Sequence, residues 1–155
     1  MDLSLSTLAV IAGRPDRVPD APLSVPVVLS STYHADGPVG YGRYGNPTWS
    51  AFEEAVGALE GGRALAFASG SAALSAVLHV LPPGAVVVAP TTPYTGTATL
   101  LAEHEAAGRL VVRRVDVTDT DAVAAACPGA QLVWVESPTN PLLGVADVAA
   151  ICSAV

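Results

Sequence analysis

The stretch that decides the fold is FASGSAALSAV, which runs from Phe67 to Val77. The apolar segment at its beginning ends at Ser69, Gly70 and Ser71, and an alanine-rich segment of helical composition follows immediately. The turn has two interpretations. It is an anion cradle, because N–H groups at a helix N-terminus bind anions and glycine lets a phosphate come close, or it is a tight strand-to-helix turn whose serines only cap the helix.

The same change from strand to helix recurs along the rest of the chain. A first helix is predicted with Asn46 as N-cap, Pro47 at its first position and Gly61 after its end. Short, valine-rich strands are then predicted at 63–68, 85–90, 109–115 and 130–136, with helical segments between them. This alternation predicts an α/β domain with a mainly parallel sheet, helices on both faces, and ligands at the carboxyl ends of the strands.

The first 45 residues have a different texture. They are rich in Pro, Gly, Ser and Tyr, and their one short helical segment, STLAVIAG, is predicted to be capped by Ser6 or Thr7. A long segment with so little core of its own is best explained if it lies on a partner. We therefore predict an N-terminal extended arm at 1–45 and an α/β domain at 46–155, incomplete because the sequence stops inside a predicted helix.

Composition argues against several classes of function. The net charge of −7 and the pI near 4.6 do not suit a nucleic-acid partner. No apolar run approaches the length that crosses a bilayer, so no membrane partner is expected. The two cysteines, Cys127 and Cys152, form neither a disulfide framework nor a metal-ligand spacing, and the start lacks the basic region of a signal peptide. We expect a cytoplasmic protein.

Polar and aromatic residues in the arm and after predicted strands are candidates for a site. In GYGRYGNPT, Tyr41 and Arg43 together grip a phosphate, or they form a surface loop with an arginine stacked on a tyrosine. In TTPYTGT, Tyr94 is an aromatic plate for a planar ring, or it covers the edge of the core. In ESPTNP, Asn140 donates to a ring substituent or carboxylate, or the segment is only a sharp turn.

Together these candidates suit a phosphorylated planar cofactor better than a free phosphate. A dinucleotide-binding domain has the same rhythm of strands and helices. It ranks last, because the chain lacks the glycine fingerprint and an acidic residue after the second strand.

Five segments carry a resemblance to a known family. YGRYGNPTWSAFEEAVGALEGG, ALAFASGSAALSAVL, PYTGT, VDVTDTDAV and ESPTNPLLGVADVAAIC resemble, in this order, the N-terminal half of the pyridoxal-phosphate enzymes of Cys and Met metabolism. This is the transsulfuration family of cystathionine gamma-synthases, cystathionine lyases and methionine gamma-lyases. The resemblance implies a fold type I large domain of the aspartate-aminotransferase kind, with pyridoxal 5'-phosphate as cofactor.

The same resemblance implies a reaction and partners. The expected reaction is gamma-elimination or gamma-replacement on a sulfur-containing or O-acylated amino acid. Family members are homo-oligomers, commonly tetramers, whose active sites are shared between subunits. An extended arm that reaches a second subunit agrees with that assembly.

The resemblance also implies roles for the residues of the cofactor site. Ser69, Gly70 and Ser71 would hold the cofactor phosphate. Family members often have Met where Ser71 stands, a change of little consequence because the backbone N–H does the binding. Tyr41 and Arg43 would reach the phosphate bound by the neighbouring subunit.

Three further residues would surround the cofactor ring. Tyr94 would stack on the pyridine ring. Glu136 and Asn140 would lie beside it, with Asn140 near its 3-hydroxyl group.

The sequence departs from the family in its charged catalytic residues. All seven basic residues are arginine, so these 155 residues contain no lysine and cannot form a lysine Schiff base. We therefore assign no catalytic residue and expect the isolated chain to be inactive. Three hypotheses remain: the N-terminal part of a cystathionine gamma-synthase, of a cystathionine or methionine gamma-lyase, or a non-catalytic module that pairs with a full-length paralogue.

The absence of lysine leads to a direct chemical prediction. When the chain is mixed with pyridoxal phosphate and treated with borohydride, we expect no reduced adduct on any side chain and no yellow absorbance of a lysine-bound cofactor. Mass spectrometry of the digested chain measures this. A reduced adduct mapped to a side chain would contradict the prediction.

Overall fold

The computed structural model describes residues 3–155 and divides them into two compact units. The first unit reaches to Phe67, and the second runs from Ala68 to Val155. Met1 and Asp2, which belong to the predicted arm, lie outside the described residues. The sequence-based division into an arm at 1–45 and a domain at 46–155 stays a prediction.

The first unit contains two helices that pack on each other, α1 (Leu5–Ile11) and α2 (Pro47–Glu60). The N-cap of α1 is Ser4, whose Oγ accepts the N–H of Thr7 at 3.2 Å. The prediction of Ser6 or Thr7 as the cap is therefore wrong, because the helix begins earlier and both residues lie inside it.

The start of α2 is held by Asn46, as predicted. Asn46 Oδ1 accepts the N–H of Thr48 at 2.8 Å, and its Nδ2 donates to the carbonyl oxygen of Val28 at 3.0 Å. The hydroxyl of Thr48 in turn accepts the N–H of Val28 at 2.8 Å. The helix ends at Gly61, whose φ of +67° is the left-handed conformation that glycine adopts without strain.

The predicted strand at 63–68 is wrong, since the structure has no strand there. A strand forms only beside a partner that completes its hydrogen bonds, and none of residues 3–155 pairs with this segment. The N–H of Ala66 is instead accepted by a carboxylate oxygen of Glu53 at 2.7 Å.

The second unit is an α/β layer structure, as predicted. Its elements in chain order are α3 (Gly70–His79), β1 (Ala85–Pro90), α4 (Thr95–Ala106), β2 (Leu110–Val115), α5 (Thr120–Ala126), β3 (Leu132–Val133) and α6 (Val148–Ala154). The strand order is β2-β1-β3 and both pairings are parallel. In register, Ala85 lies opposite Leu110, and Val87 lies opposite both Val112 and Leu132.

Two apolar clusters form the core of this unit. In the first, side chains of α3 and α4 pack with alternate residues of β1 and the start of β2: Leu74, Leu78, Ala85, Val87, Ala89, Leu101 and Leu110. The second joins α5 and α6 with the segments around them: Val117, Val123, Ala146 and Ile151. The central strand, β1, is valine-rich and buried along most of its length. Successive residues of a strand face opposite sides of a sheet, so a strand in a sheet that is covered on both faces carries apolar residues at nearly every position.

Side chains complete the ends of the helices. Ser69, Asp119 and Asp147 are the N-caps of α3, α5 and α6, and each accepts the N–H of the residue three positions later. At the other end of α3, the guanidinium group of Arg109 donates to the carbonyl oxygens of Leu78, His79 and Leu81. In the described part of the chain, no helix has the length and apolar character to cross a membrane.

The core position of Leu78 predicts a large effect of its truncation. The Leu78 side chain is 1% exposed, whereas the nearby Val80 is 81% exposed. Leu78→Ala is expected to lower the free energy of unfolding by about 2–5 kcal/mol, because a buried cavity is left behind. The control Val80→Ala is expected to change it by no more than about 0.5 kcal/mol. Urea unfolding measures both, and equal losses would contradict the assignment of the core.

Candidate functional site

A cavity of about 460 Å³ opens in the second unit, beyond the carboxyl ends of β1 and β3. Three segments contribute to it: the N-terminus of α3, the start of α4, and the residues that follow β3. The lining residues are Ser69, Gly70, Ser71, Leu74, Tyr94, Thr97, Trp134 and Glu136. Five of the eight residues predicted for the cofactor site therefore line one cavity, at the end of the sheet where ligands of α/β proteins bind.

The N-terminus of α3 offers unpaired donors to this cavity. Ser69 Oγ accepts the N–H of Ala72 at 3.1 Å, so this serine caps the helix. The N–H groups of Gly70 and Ser71 have no acceptor among residues 3–155, as is usual in the first turn of a helix. A Cβ added to Gly70 would meet nothing within 4 Å, so the space above the turn is open. The turn therefore caps the helix and also leaves two donors that suit an anion, and the binding of an anion by Ser69, Gly70 and Ser71 stays a prediction.

Tyr94 forms a wall of the cavity. Its side chain is 55% exposed, and together with Ser71 it also lines a second, shallower cavity between α3 and α4. The residue is the N-cap of α4 but makes no side-chain cap hydrogen bond. Its backbone N–H donates to Glu136 Oε2 at 2.6 Å. Tyr94 therefore lines the cavity, while its backbone is tied to Glu136 in the segment that follows β3.

Glu136 accepts hydrogen bonds from three residues. Besides the N–H of Tyr94, it accepts the hydroxyl of Thr97 at 2.7 Å and the indole Nε1–H of Trp134 at 2.9 Å, both on Oε1. Burial raises the pKa of Glu136, but the hydrogen bonds from Trp134, Tyr94 and Thr97 outweigh it and leave the pKa below its ordinary value. Glu136 is thus a carboxylate at neutral pH.

Two residues of this arrangement were not predicted from the sequence. Trp134 stands two positions before Glu136, and side chains two apart in an extended segment share a face. Thr97 lies in the first turn of α4 and is 2% exposed. A search for polar residues one helical turn after Tyr94 would have found Thr97, and strand alternation would have found Trp134.

Asn140 is not among the residues that line this cavity. It is exposed, within a turn in which the hydroxyl of the buried Thr139 accepts the N–H of Gly144 at 2.9 Å. Thr139 faces a separate cavity of about 240 Å³, near Asp116 and Thr118. The turn interpretation describes the geometry of this segment, and the proposed contact between Asn140 and a cofactor ring stays a prediction.

Tyr41 and Arg43 lie in the first unit. The Arg43 guanidinium stands over the Tyr41 ring, 5.1 Å from its centroid, which is the stacked surface arrangement considered above. Tyr41 also forms an isolated antiparallel bridge with Thr32, and the N–H of Gly42 donates to the carbonyl oxygen of Ser31 at 2.7 Å. Their role at the phosphate of a second subunit stays a prediction.

No metal centre accompanies the cavity in the part of the chain that the structure covers. Within residues 3–155, no three His, Cys, Asp or Glu side chains come close enough together to hold a metal ion. The charged chemistry of the cavity therefore comes from Glu136 and from the backbone donors of α3.

The lowered pKa of Glu136 predicts a pH-dependent stability. An unperturbed Glu has a pKa of about 4.3, and that of Glu136 is lower in the folded chain. Its hydrogen bonds therefore stabilise the fold fully above about pH 4.3, and this contribution is lost as pH falls through the folded-state pKa. We expect the difference in free energy of unfolding between the native chain and Glu136→Gln to shrink on acidification. A difference that grows toward low pH, in urea unfolding at several pH values, would contradict this.

Comparison with known proteins identifies the family of the chain. The family described as Cys/Met metabolism PLP-dependent enzyme matches residues 6–155. Cystathionine gamma-synthase of Mycobacterium tuberculosis (strain ATCC 25618 / H37Rv) is 43% identical, over 94% of this chain and 40% of that protein. Chloroplastic cystathionine beta-lyase of Arabidopsis thaliana is 40% identical, over 95% of this chain and 33% of that protein.

Solved structures show the same fold. Cystathionine gamma-synthase from Xanthomonas oryzae pv. oryzae in complex with cystathionine superposes with a TM-score of 0.83 at 33% identity, over 99% of this chain and 42% of that chain. Cystathionine gamma-lyase (CalE6) from Micromonospora echinospora gives a TM-score of 0.83 at 36% identity, with the same coverage. The chain thus spans about two fifths of the length of these relatives. It belongs to the family of pyridoxal-phosphate-dependent enzymes of Cys/Met metabolism.

Proposed function

We propose that this chain is the part of a transsulfuration enzyme of the cystathionine gamma-synthase type that binds the phosphate and covers the ring of pyridoxal phosphate. The observation that carries the proposal is the meeting of three features at one cavity: the free N–H groups of Gly70 and Ser71, the ring of Tyr94 and the carboxylate of Glu136. The volume of about 460 Å³ lies in the range of small-molecule sites.

The donor set fits a phosphorylated aromatic cofactor. Helix N–H groups suit a phosphate, and an aromatic face suits a planar ring. The one carboxylate in the lining, Glu136, keeps its negative charge, but both of its oxygens already accept hydrogen bonds from neutral donors of the protein.

In the proposed mechanism, pyridoxal phosphate supplies an electron sink for reactions of an amino-acid substrate. The chain's own residues bind and orient. Gly70 and Ser71 bind the phosphate through backbone N–H groups, and Ser69 keeps this turn in place by capping α3. Tyr94 covers one ring face and excludes water from it. Because these residues include no lysine, covalent attachment of the cofactor is not among their roles.

The finer parts of the proposal concern substrate, assembly and location. The substrate is a sulfur-containing or O-acylated amino acid, and gamma-replacement is favoured because relatives at 43% identity are cystathionine gamma-synthases. A cystathionine or methionine gamma-lyase reaction is the alternative, supported by the gamma-lyase structures that share the fold. The protein acts in the cytoplasm.

The proposed assembly is a homo-oligomer with shared active sites. The arm at 1–45 carries Tyr41 and Arg43 to the phosphate of a neighbouring subunit, and residues 46–155 form the cofactor-binding domain. A non-catalytic module paired with a full-length paralogue is the alternative of another class. Co-expression with such a paralogue distinguishes the two, because only the module gives a stable complex that contains both chains.

Cofactor binding can be measured on the chain itself. In a Trp49→Phe background, the fluorescence of Trp134 reports on the cavity it lines. We expect pyridoxal phosphate to quench this fluorescence with at least about tenfold higher affinity than pyridoxal, because the phosphate contributes charge-assisted hydrogen bonds. Equal affinities for the two compounds would overturn the proposal.

A matched pair of variants tests the phosphate cradle. Ser71→Asp places a carboxylate beside the phosphate and is expected to weaken binding by at least about tenfold, whereas Ser71→Asn keeps size and backbone without the charge. An acidic residue in the first turn of a helix stabilises that helix, so unfolding would not explain the loss. Equal affinities of the two variants would contradict the cradle.

A further inference from the structure

The ring of Tyr94 is held from its backbone side, not through its hydroxyl. Within residues 3–155, the phenol oxygen makes no hydrogen bond, and the side chain is 55% exposed. Two neighbours define where the ring lies. Glu136 accepts the backbone N–H of Tyr94 at 2.6 Å, and Gly96 lies directly against the ring.

We propose that Glu136 and Gly96 are positioning residues that set the Tyr94 ring against the cavity, Glu136 by fixing the backbone of Tyr94 and Gly96 by leaving the space that the ring occupies. This inference rests on the proposed function, in which that ring covers the cofactor. It assigns Glu136 a role through Tyr94 in place of a direct contact with the cofactor ring.

The geometry at Gly96 is specific. A Cβ built on Gly96 would lie 2.6 Å from Tyr94 Cε1 and 3.2 Å from Cδ1. Separations under 3 Å do not persist, so one group must move, and the exposed ring is freer to move than the backbone of α4. Glycine near the start of a helix also lowers helix stability relative to alanine. The helix therefore gives no reason for glycine here, whereas the ring does.

The geometry at Glu136 requires both carboxylate oxygens. The N–H of Tyr94 donates to Oε2 and the indole N–H of Trp134 donates to Oε1, and neither group can act as an acceptor. A glutamine offers one oxygen and one NH₂ group. Glu136→Gln therefore leaves Tyr94 or Trp134 without an acceptor, although the two side chains have nearly the same size.

The first experiment replaces Gly96. We expect Gly96→Ala to weaken pyridoxal phosphate binding by about tenfold, while its thermal stability equals or exceeds that of the native chain. The matched control is Thr95→Ala, an exposed neighbour in α4 that also gains helix propensity. It is expected to change the affinity by less than about twofold. An unchanged affinity in Gly96→Ala would overturn the role of Gly96.

A double-mutant cycle tests whether the effect passes through the ring. Gly96→Ala introduced into Tyr94→Ala is expected to cause no further loss of affinity, since the group it displaces is gone. An equal loss in both backgrounds would overturn the inference. NMR of the chain without cofactor gives an independent measurement: NOEs between the Tyr94 ring and the α-protons of Gly96 are expected, and their absence would overturn the proposed packing.

The second experiment removes one oxygen from Glu136. The chain has two tryptophans, so Trp49→Phe assigns the indole N–H signals. Glu136→Gln is expected to move the Trp134 indole signal or the Tyr94 amide signal upfield and to weaken cofactor binding. The control Glu105→Gln removes the same charge from an exposed ion pair with Arg114 and is expected to leave both signals in place. Unmoved signals in Glu136→Gln would overturn the role of Glu136.

These experiments separate the inference from the proposed function. If the native chain does not bind pyridoxal phosphate, the proposed function fails, while the NOEs and the indole and amide signals still decide how the ring is held. If the native chain binds the cofactor and both Gly96→Ala and Glu136→Gln bind it equally well, the positioning inference fails and the proposed function stands.

Discussion

The cavity depends on one carboxylate that joins two elements far apart in the chain. Glu136 follows β3, and it accepts hydrogen bonds from the start of α4. The N-terminus of that helix has no side-chain cap of its own. Glu136 accepts the N–H of the N-cap residue Tyr94, as the carboxylate of a capping box does. A negative charge at a helix N-terminus is favourable. The same carboxylate also holds the segment that follows β3 against Tyr94, which lines the cavity. Fold stability and site geometry thus share one interaction.

Local chemistry explains which elements could be predicted from the sequence. Asn46, Pro47 and Gly61 mark the limits of α2 because capping and the left-handed turn are decided by neighbouring residues. The parallel sheet was predictable from valine-rich segments separated by helical ones. The predicted strand at 63–68 had the same apolar character, but a strand also needs a partner, and no local pattern reveals whether a partner is present. Its N–H at Ala66 is satisfied by Glu53 instead.

In the site too, features that depend on neighbouring residues were predictable from the sequence, and contacts between distant residues were not. Ser69, Gly70 and Ser71 were recognisable because a helix N-terminus after a strand has a known electrostatic property. Tyr94 was recognisable by its place after a strand. The link from Glu136 to Thr97 and Tyr94 spans about 40 residues of sequence, and only the parallel arrangement of β1 and β3 brings these groups together. Motif analysis therefore predicted two members of the network, Tyr94 and Glu136, but not the hydrogen bonds that join them to each other and to Thr97 and Trp134.

The contacts of Asn46 and Thr48 with Val28 close the base of a loop. Tyr41 and Arg43 lie within this loop, and the bridge between Thr32 and Tyr41 narrows it further. Closing a chain segment removes conformational entropy at folding, before any encounter with another molecule. When another molecule binds this loop, the loop therefore loses less conformational entropy, and more of the contact energy is retained as affinity. Changes at Asn46 would thus weaken such an association without touching its interface.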